Sequence, residues 1–234
     1  MQGFRAWQGI LVVAYLGLAA GSTLGLSVLV APGVFSYVDV APRLIGLGHT
    51  VTELDPATWD ASFDYSAYDV VAFQYLSGNP ADISHLVDAV DAEQIGVVCF
   101  RATGAEATAM ALGLISSSVF DYQSSSPFSI VDNSHPITHN LDIATYNSGY
   151  GNMTYVIDPG VDTTILAQGP AGATLVVHNT RRAVAAPYYG AYWESESLTQ
   201  VDQDLIDKCL KWAAGEPVPV LQTTWGMVKS LYAD

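Results

Sequence analysis

The stretch "IGVVCFRATGAEA", residues 95–107, decides the fold. Its opening "IGVVCF" is a short continuous apolar run rich in β-branched residues, the pattern of a strand buried on both faces. "GAEATAMALGL" (104–114) reads as an Ala-rich helix, so "RATG" is the tight turn between them. A strand that passes into a helix through such an elbow is where several α/β hydrolytic enzymes hold their nucleophile. Cys99 lies close to the bend and is therefore either a nucleophile or a packing thiol. Its neighbours Val97, Val98 and Phe100 predict burial, which raises a thiol pKa and favours packing.

Outward from this unit the chain alternates strand and helix patterns. "LSVLVAPG" (26–33), "HTVTELD" (49–55) and "YDVVAFQYL" (68–76) read as strands. "SYVDVAPRLIGLG" reads as a helix with Val38, Ala41, Leu44 and Ile45 on one face, Asp39 as N-cap and Pro42 in the first turn. "PADISHLVDAVDA" (80–92) reads as a second helix, with Ile83, Leu86, Val87 and Val90 as its apolar stripe. The link 56–67 has only a poor helical pattern. This order predicts an α/β fold: a parallel sheet with helices on both faces. The second half is richer in strands, at 128–132, 153–158, 163–168, 173–179 and 182–189, with turns at 170–172 and 179–181. A last helix over 197–215 brings Leu198, Val201, Leu205, Cys209 and Trp212 onto one face, and Gly215 is placed to stop it.

The chain has 234 residues, half of them apolar and 13% charged, which suits one large domain with a sizeable core. Its formal net charge of −15 would repel phosphate backbones, and Arg181-Arg182 is the one basic pair, so nucleic acid is not an expected partner. "MQGFRAWQG" followed by "ILVVAYLGLAAG" resembles a signal peptide with Ala19 and Gly21 before a cleavage point at Ser22. The expected location is secreted or cell-surface, an oxidising setting in which Cys99 and Cys209 could pair. The alternatives are a membrane anchor, since residues 10–30 carry no charge, or an extra element of the fold. The expected organisation is thus an N-terminal hydrophobic segment at 1–25, a domain at 26–215 and a C-terminal tail at 216–234. Trp225, Val228 and Leu231 of that tail either pack on the domain or form a docking segment.

The strings "GHTVTELD", "YDVVAFQYLSG", "GVVCFRA", "VDNSHPITHNL", "TTILAQ" and "LIDKCLKWAAG" occur in an order that resembles class I glutamine amidotransferase-like domains, nearest their ThuA-like (trehalose-utilisation) branch. The most specific piece is Asp132 followed by His135-Pro136-Ile137-Thr138. The resemblance implies a flavodoxin-like three-layer sandwich, with extra antiparallel strands in the C-terminal half and any site at the carboxyl ends of the parallel strands. It also exposes departures. Catalytic members of the superfamily carry Cys at the elbow itself, whereas here the resemblance places Arg101 there, where the ThuA-like branch often has His, and leaves Cys99 inside the strand. Members with amidotransferase chemistry use a late His followed closely by Glu. The corresponding "YYGAYWESES" has Glu194 and Glu196 and no His, so the Cys-His-Glu relay is incomplete.

Two readings follow. One is an exported, non-catalytic binding or assembly module, with a small molecule, a protein or a second copy of the chain as partner. The other is a hydrolase or carbohydrate-processing enzyme using Arg101, His135 and Glu194 in the strand-end crevice. The ligand-contact candidates are Tyr75, Arg101, Thr103, His135 and Tyr189. Arg101 can hold an anionic group or pair internally with Glu106 or Asp132. His135 is either an acid/base group or a residue that orders its turn, with Asp132 or Asn133 capping that turn. Tyr75 and Tyr189 belong to an aromatic set suited to flat polar ligands such as sugars. His49, His139 and His178 have no ligand cluster in sequence, and His85 reads as part of a solvated helix face, so no metal is expected. "APGVF" lacks the glycine spacing of a dinucleotide loop, so no nucleotide cofactor is expected either.

Overall fold

A computed structural model describes residues 25–33, 40–74, 76–100, 104–117, 121–123, 129–141, 154–169, 172–186 and 200–218. The apolar runs become β1 (Ser27–Ala31), β2 (Thr50–Glu53), β3 (Val70–Phe73) and β4 (Gly96–Cys99). β1 pairs in parallel with both β2 and β3, and β3 with β4. The strand-rich second half supplies β5 (Asp121–Gln123), β6 (Ser129–Ile130), β7 (Thr154–Val156), β8 (Thr163–Gly169), β9 (Gly172–His178) and β10 (Ala183–Ala185). β10 adds to β4 in parallel; β9, β8 and β6 follow in antiparallel sequence. The result is an eight-stranded sheet of order β2-β1-β3-β4-β10-β9-β8-β6. β5 and β7 form a separate two-stranded ribbon, and the expected strand at 153–158 meets the main sheet through an isolated bridge of Ile157 to Ala173 in β9. This is the α/β flavodoxin-like architecture.

Helices cover both faces because the central strands are apolar on both. One face, with Val28, Val30, Ala72, Val98 and Val184, packs against α1 (Ala41–Gly46) and α4 (Gln200–Ala213). The other, with Leu29, Val71, Phe73, Val97 and Cys99, packs against α2 (Ile83–Asp91) and α3 (Glu106–Ala111). Alternate residues of each strand thus enter different cores, as the two-residue period requires.

Local chemistry explains most element ends. Asp82 caps α2 by accepting from the His85 N–H at 3.1 Å. The link 56–67 forms two 3₁₀ turns, Pro56–Thr58 and Tyr65–Ala67, capped by Asp55 and Asp64. α1 departs from expectation. Its N-cap is Val40 with no side-chain cap bond, Ile45 is 58% exposed, and Arg43 is buried in its stead. Asp39 and Val38 lie outside the described residues. α4 is held from the side: the His49 Nδ1 accepts from the Leu26 N–H at 3.1 Å, and its Nε2 lies 3.2 Å from Asp207. Lys211 donates to the same carboxylate at 2.7 Å. Burial opposes charge on Asp207, but these two hydrogen bonds outweigh it and hold its carboxyl below the usual range.

The C-terminal turn of α4 lies directly on the start of β4. A Cβ placed on Gly96 would come within 1.9 Å of the Ala213 carbonyl oxygen, so only glycine permits this approach. We expect Gly96→Ala to cost about 3 kcal/mol, because backbone must move, and chemical denaturation would measure it. Gly46→Ala is the matched control. It has open space around the new methyl and should be neutral or stabilising by up to about 1 kcal/mol.

Candidate functional site

The sheet order places the candidate site. β1 leads outward to β2, and the chain then returns to lay β3 on the other side of β1. Ligands of open α/β sheets bind outside the carboxyl ends at such a reversal. Here those ends are Ala31, Phe73 and Cys99, which lie side by side in the ladder. Two turns rise from them. After β3, Leu76 takes φ 56° and Gly78 φ 81°. After β4, Gly104 takes φ 97°, and a Cβ there would sit 2.8 Å from the Leu76 Cα. Glycine at 104 therefore satisfies both the left-handed backbone and the close crossing. Asn79 ties the turns together. Its Nδ2 donates to the Gly104 carbonyl at 3.1 Å, and its Oδ1 accepts from the Thr108 N–H at 3.0 Å and hydroxyl at 2.8 Å. Glu106, offered in sequence as an ion-pair partner for Arg101, accepts from the Gly104 N–H at 2.7 Å.

Cys99 ends β4 with its side chain in the α2/α3 core and 1% of its surface exposed. It is a free thiol, pushed up to about 12 by burial. This is the packing environment expected from Val97, Val98 and Phe100. Cys209 is also free, and burial raises its thiol. α4 does cover β4, yet no Cys99–Cys209 bridge forms, because Cys209 belongs to the core on the other face of the sheet.

His135 stands on the α4 side. Its ring lies 5.3 Å from that of Trp212, in the last turn of α4, which abuts the beginning of β4 and not its end. Its Nδ1 accepts from the Ile137 N–H at 3.2 Å, and its carbonyl accepts from the N–H groups of Thr138 and His139. Asp132 caps the turn, accepting from the Ser134 N–H at 2.8 Å and hydroxyl at 2.6 Å. Lys208 donates to the His139 carbonyl at 2.6 Å, and Ile137 and Leu141 enter the α4 core. These are the contacts of a residue that orders a loop and docks it on a helix. Burial lowers the His135 pKa, against the smaller opposing pull of Asp132.

Of the other candidates, Tyr75, Arg101, Thr103, Tyr189 and Glu194 lie outside the described residues, as do the aromatic run around Tyr189 and the terminal segments 1–24 and 219–234. His85 is not on a solvated face. It is half-buried, its Nε2 lies 2.8 Å from the Phe63 carbonyl, and its ring lies 5.3 Å from Tyr65. Arg181 and Arg182 meet protein groups at the opposite end of β4. Arg181 forks onto Asp91 at 2.5 and 2.8 Å, and Arg182 donates to the carbonyls of Ala214 and Glu93. Asn79 and Gln74 were not singled out in sequence. The signal was there: "FQYLSGNP" places a polar residue directly after a strand buried on both faces.

No family model matches the chain, and no curated protein does. Solved structures do. A protein of Thermoplasma acidophilum provisionally described as part of a GMP synthase superposes with TM-score 0.57 and 15% identity, over 82% of this chain and 95% of that one. A protein of Bacteroides uniformis provisionally described as ThuA-like gives TM-score 0.57 and 11% identity, over 84% and 94%. A glutamine amidotransferase of Thermotoga maritima gives 0.50 and 12%, over 81% and 98%.

The placement of the thiols and of His135 has measurable consequences. Native protein should leave both cysteines unmodified by an aromatic disulfide reagent over minutes, and denaturant should release them both, read by the absorbance of the liberated thiolate. The lowered His135 pKa means that the unfolded chain binds more protons near its ordinary value of 6.5. Stability should therefore rise with pH up to about that value, and fall as pH drops through it toward the folded pKa. His135→Gln should flatten this part of a plot of unfolding free energy against pH. By its fold, along most of its length, the chain is similar to glutamine amidotransferase-like and ThuA-like proteins.

Proposed function

We propose that this chain is an exported, non-catalytic binding module built on an amidotransferase-like fold, receiving its ligand at the carboxyl ends of β1, β3 and β4. One observation carries the reading: Cys99, the thiol nearest the elbow, is 1% exposed and pushed up to about 12. A thiol nucleophile needs a thiolate, access and a base. Cys99 faces the α2/α3 core, and His135 packs against α4 across the sheet with its Nδ1 already accepting a backbone N–H. The late "YYGAYWESES" supports the same reading, because it offers carboxylates without an imidazole. Export rests on the apolar run 10–21 and its small residues before Ser22.

The test compares wild type with Cys99→Ala, a small change in a buried apolar setting. Ammonia release from L-glutamine and hydrolysis of an activated ester should stay at background in both. Thiol-dependent turnover that Cys99→Ala abolishes, with the fold intact by circular dichroism, would overturn the proposal. For export, the mature protein recovered from a secreting host should begin at Ser22 by intact mass; a retained leader would remove that part of the reading.

A further inference from the structure

The first residue beyond the end of β3 is Gln74, 3% exposed, and among the described residues neither its Oε1 nor its Nε2 has a hydrogen-bond partner. The last rung of the ladder, from the Phe100 N–H to the Phe73 carbonyl at 3.1 Å, lies just before it. By strand alternation its side chain follows Val70 and Ala72 onto the α1/α4 face, the face that also takes Phe100 and Ala186 at neighbouring strand ends. A buried amide without partners is costly and uncommon in a folded protein. Among the described residues the polar groups of the adjoining turns meet Asn79 instead, whose amide is bonded at both ends. Gln74 also flanks the β1/β3 reversal, where the sheet order calls for a ligand crevice.

From this placement we infer that Gln74 is a ligand-recognition residue of the strand-end site, its carboxamide receiving a neutral group with an adjacent donor and acceptor. Oε1 accepts from the ligand and Nε2 donates to it. A charged group would be desolvated beside Phe100 and Ala186 with no opposite charge on Gln74 to offset it. Vicinal hydroxyls and primary amides both carry the required pair. The inference rests on the binding reading above and adds the contact residue and the ligand chemistry.

Gln74→Met and Gln74→Leu remove the amide and keep an apolar side chain of comparable bulk. Without ligand, each should raise Tm by about 2–4 °C, because an unsatisfied polar group is gone. An unchanged or lowered Tm in both would show that Gln74 is satisfied within the fold and would overturn the inference. Binding is read by saturation-transfer NMR and calorimetry with glucose and myo-inositol in one arm and acetamide and L-glutamine in the other. The wild type should bind in one arm, which assigns the diol or the amide, and both variants should bind at least about tenfold more weakly. Wild-type binding that both variants retain would overturn the role of Gln74 and leave the binding module standing. No binding of any probe by the wild type would remove the module reading together with this inference.

Discussion

β4 can exist only if both of its faces are covered at once. Gly96, Val97, Val98 and Cys99 are all buried, and neighbouring side chains point into different cores. A strand of this kind cannot lie at a solvated surface, because either face would leave a band of apolar surface in water. α4 closes one side, and it approaches so tightly that position 96 has no room for a side chain. α2 and α3 close the other. The parallel pairing of β3, β4 and β10 follows from that double coverage.

The same pleat governs the chemistry. It sends Cys99 into one core and Val98 and Phe100 into the other, so the thiol nearest the elbow is inside the protein. It also separates Cys99 from Cys209 and from the His135 turn, although α4 carries Cys209 and Trp212 over the very strand that holds Cys99. Proximity along an element does not amount to contact when a sheet stands between. What the strand ends offer instead, among the described residues, is a polar turn crossed by a glycine, with the Asn79 amide bonded at both ends and the Gln74 amide without a partner.

Much of this was legible in the residues. The apolar runs of β1, β3 and β4 announced strands buried on both faces, and "DNSHP" announced a turn for which Asp132 was one of two candidate caps. Other features were not. β5 has only three residues, too few for a two-residue alternation to stand out. Ile45 fits an apolar stripe, but α1 is six residues long and turns Arg43 inward instead. His85 lies between acidic residues in sequence, and only the 3₁₀ turns that bring Phe63 and Tyr65 over α2 reveal that it is half-buried.

By itself the sequence determined the order of the main-sheet strands and of the helices, and the burial of Cys99, because periodicity and apolar content are local properties that neighbours along the chain dictate. It also contained the polar residue that directly follows β3. Tertiary structure decided which face each helix covers, and hence that the two thiols lie apart, that His135 belongs to α4, and that the Gln74 amide has no partner among the described residues. Those facts depend on which distant segments meet across the sheet, and a linear pattern carries no record of that meeting.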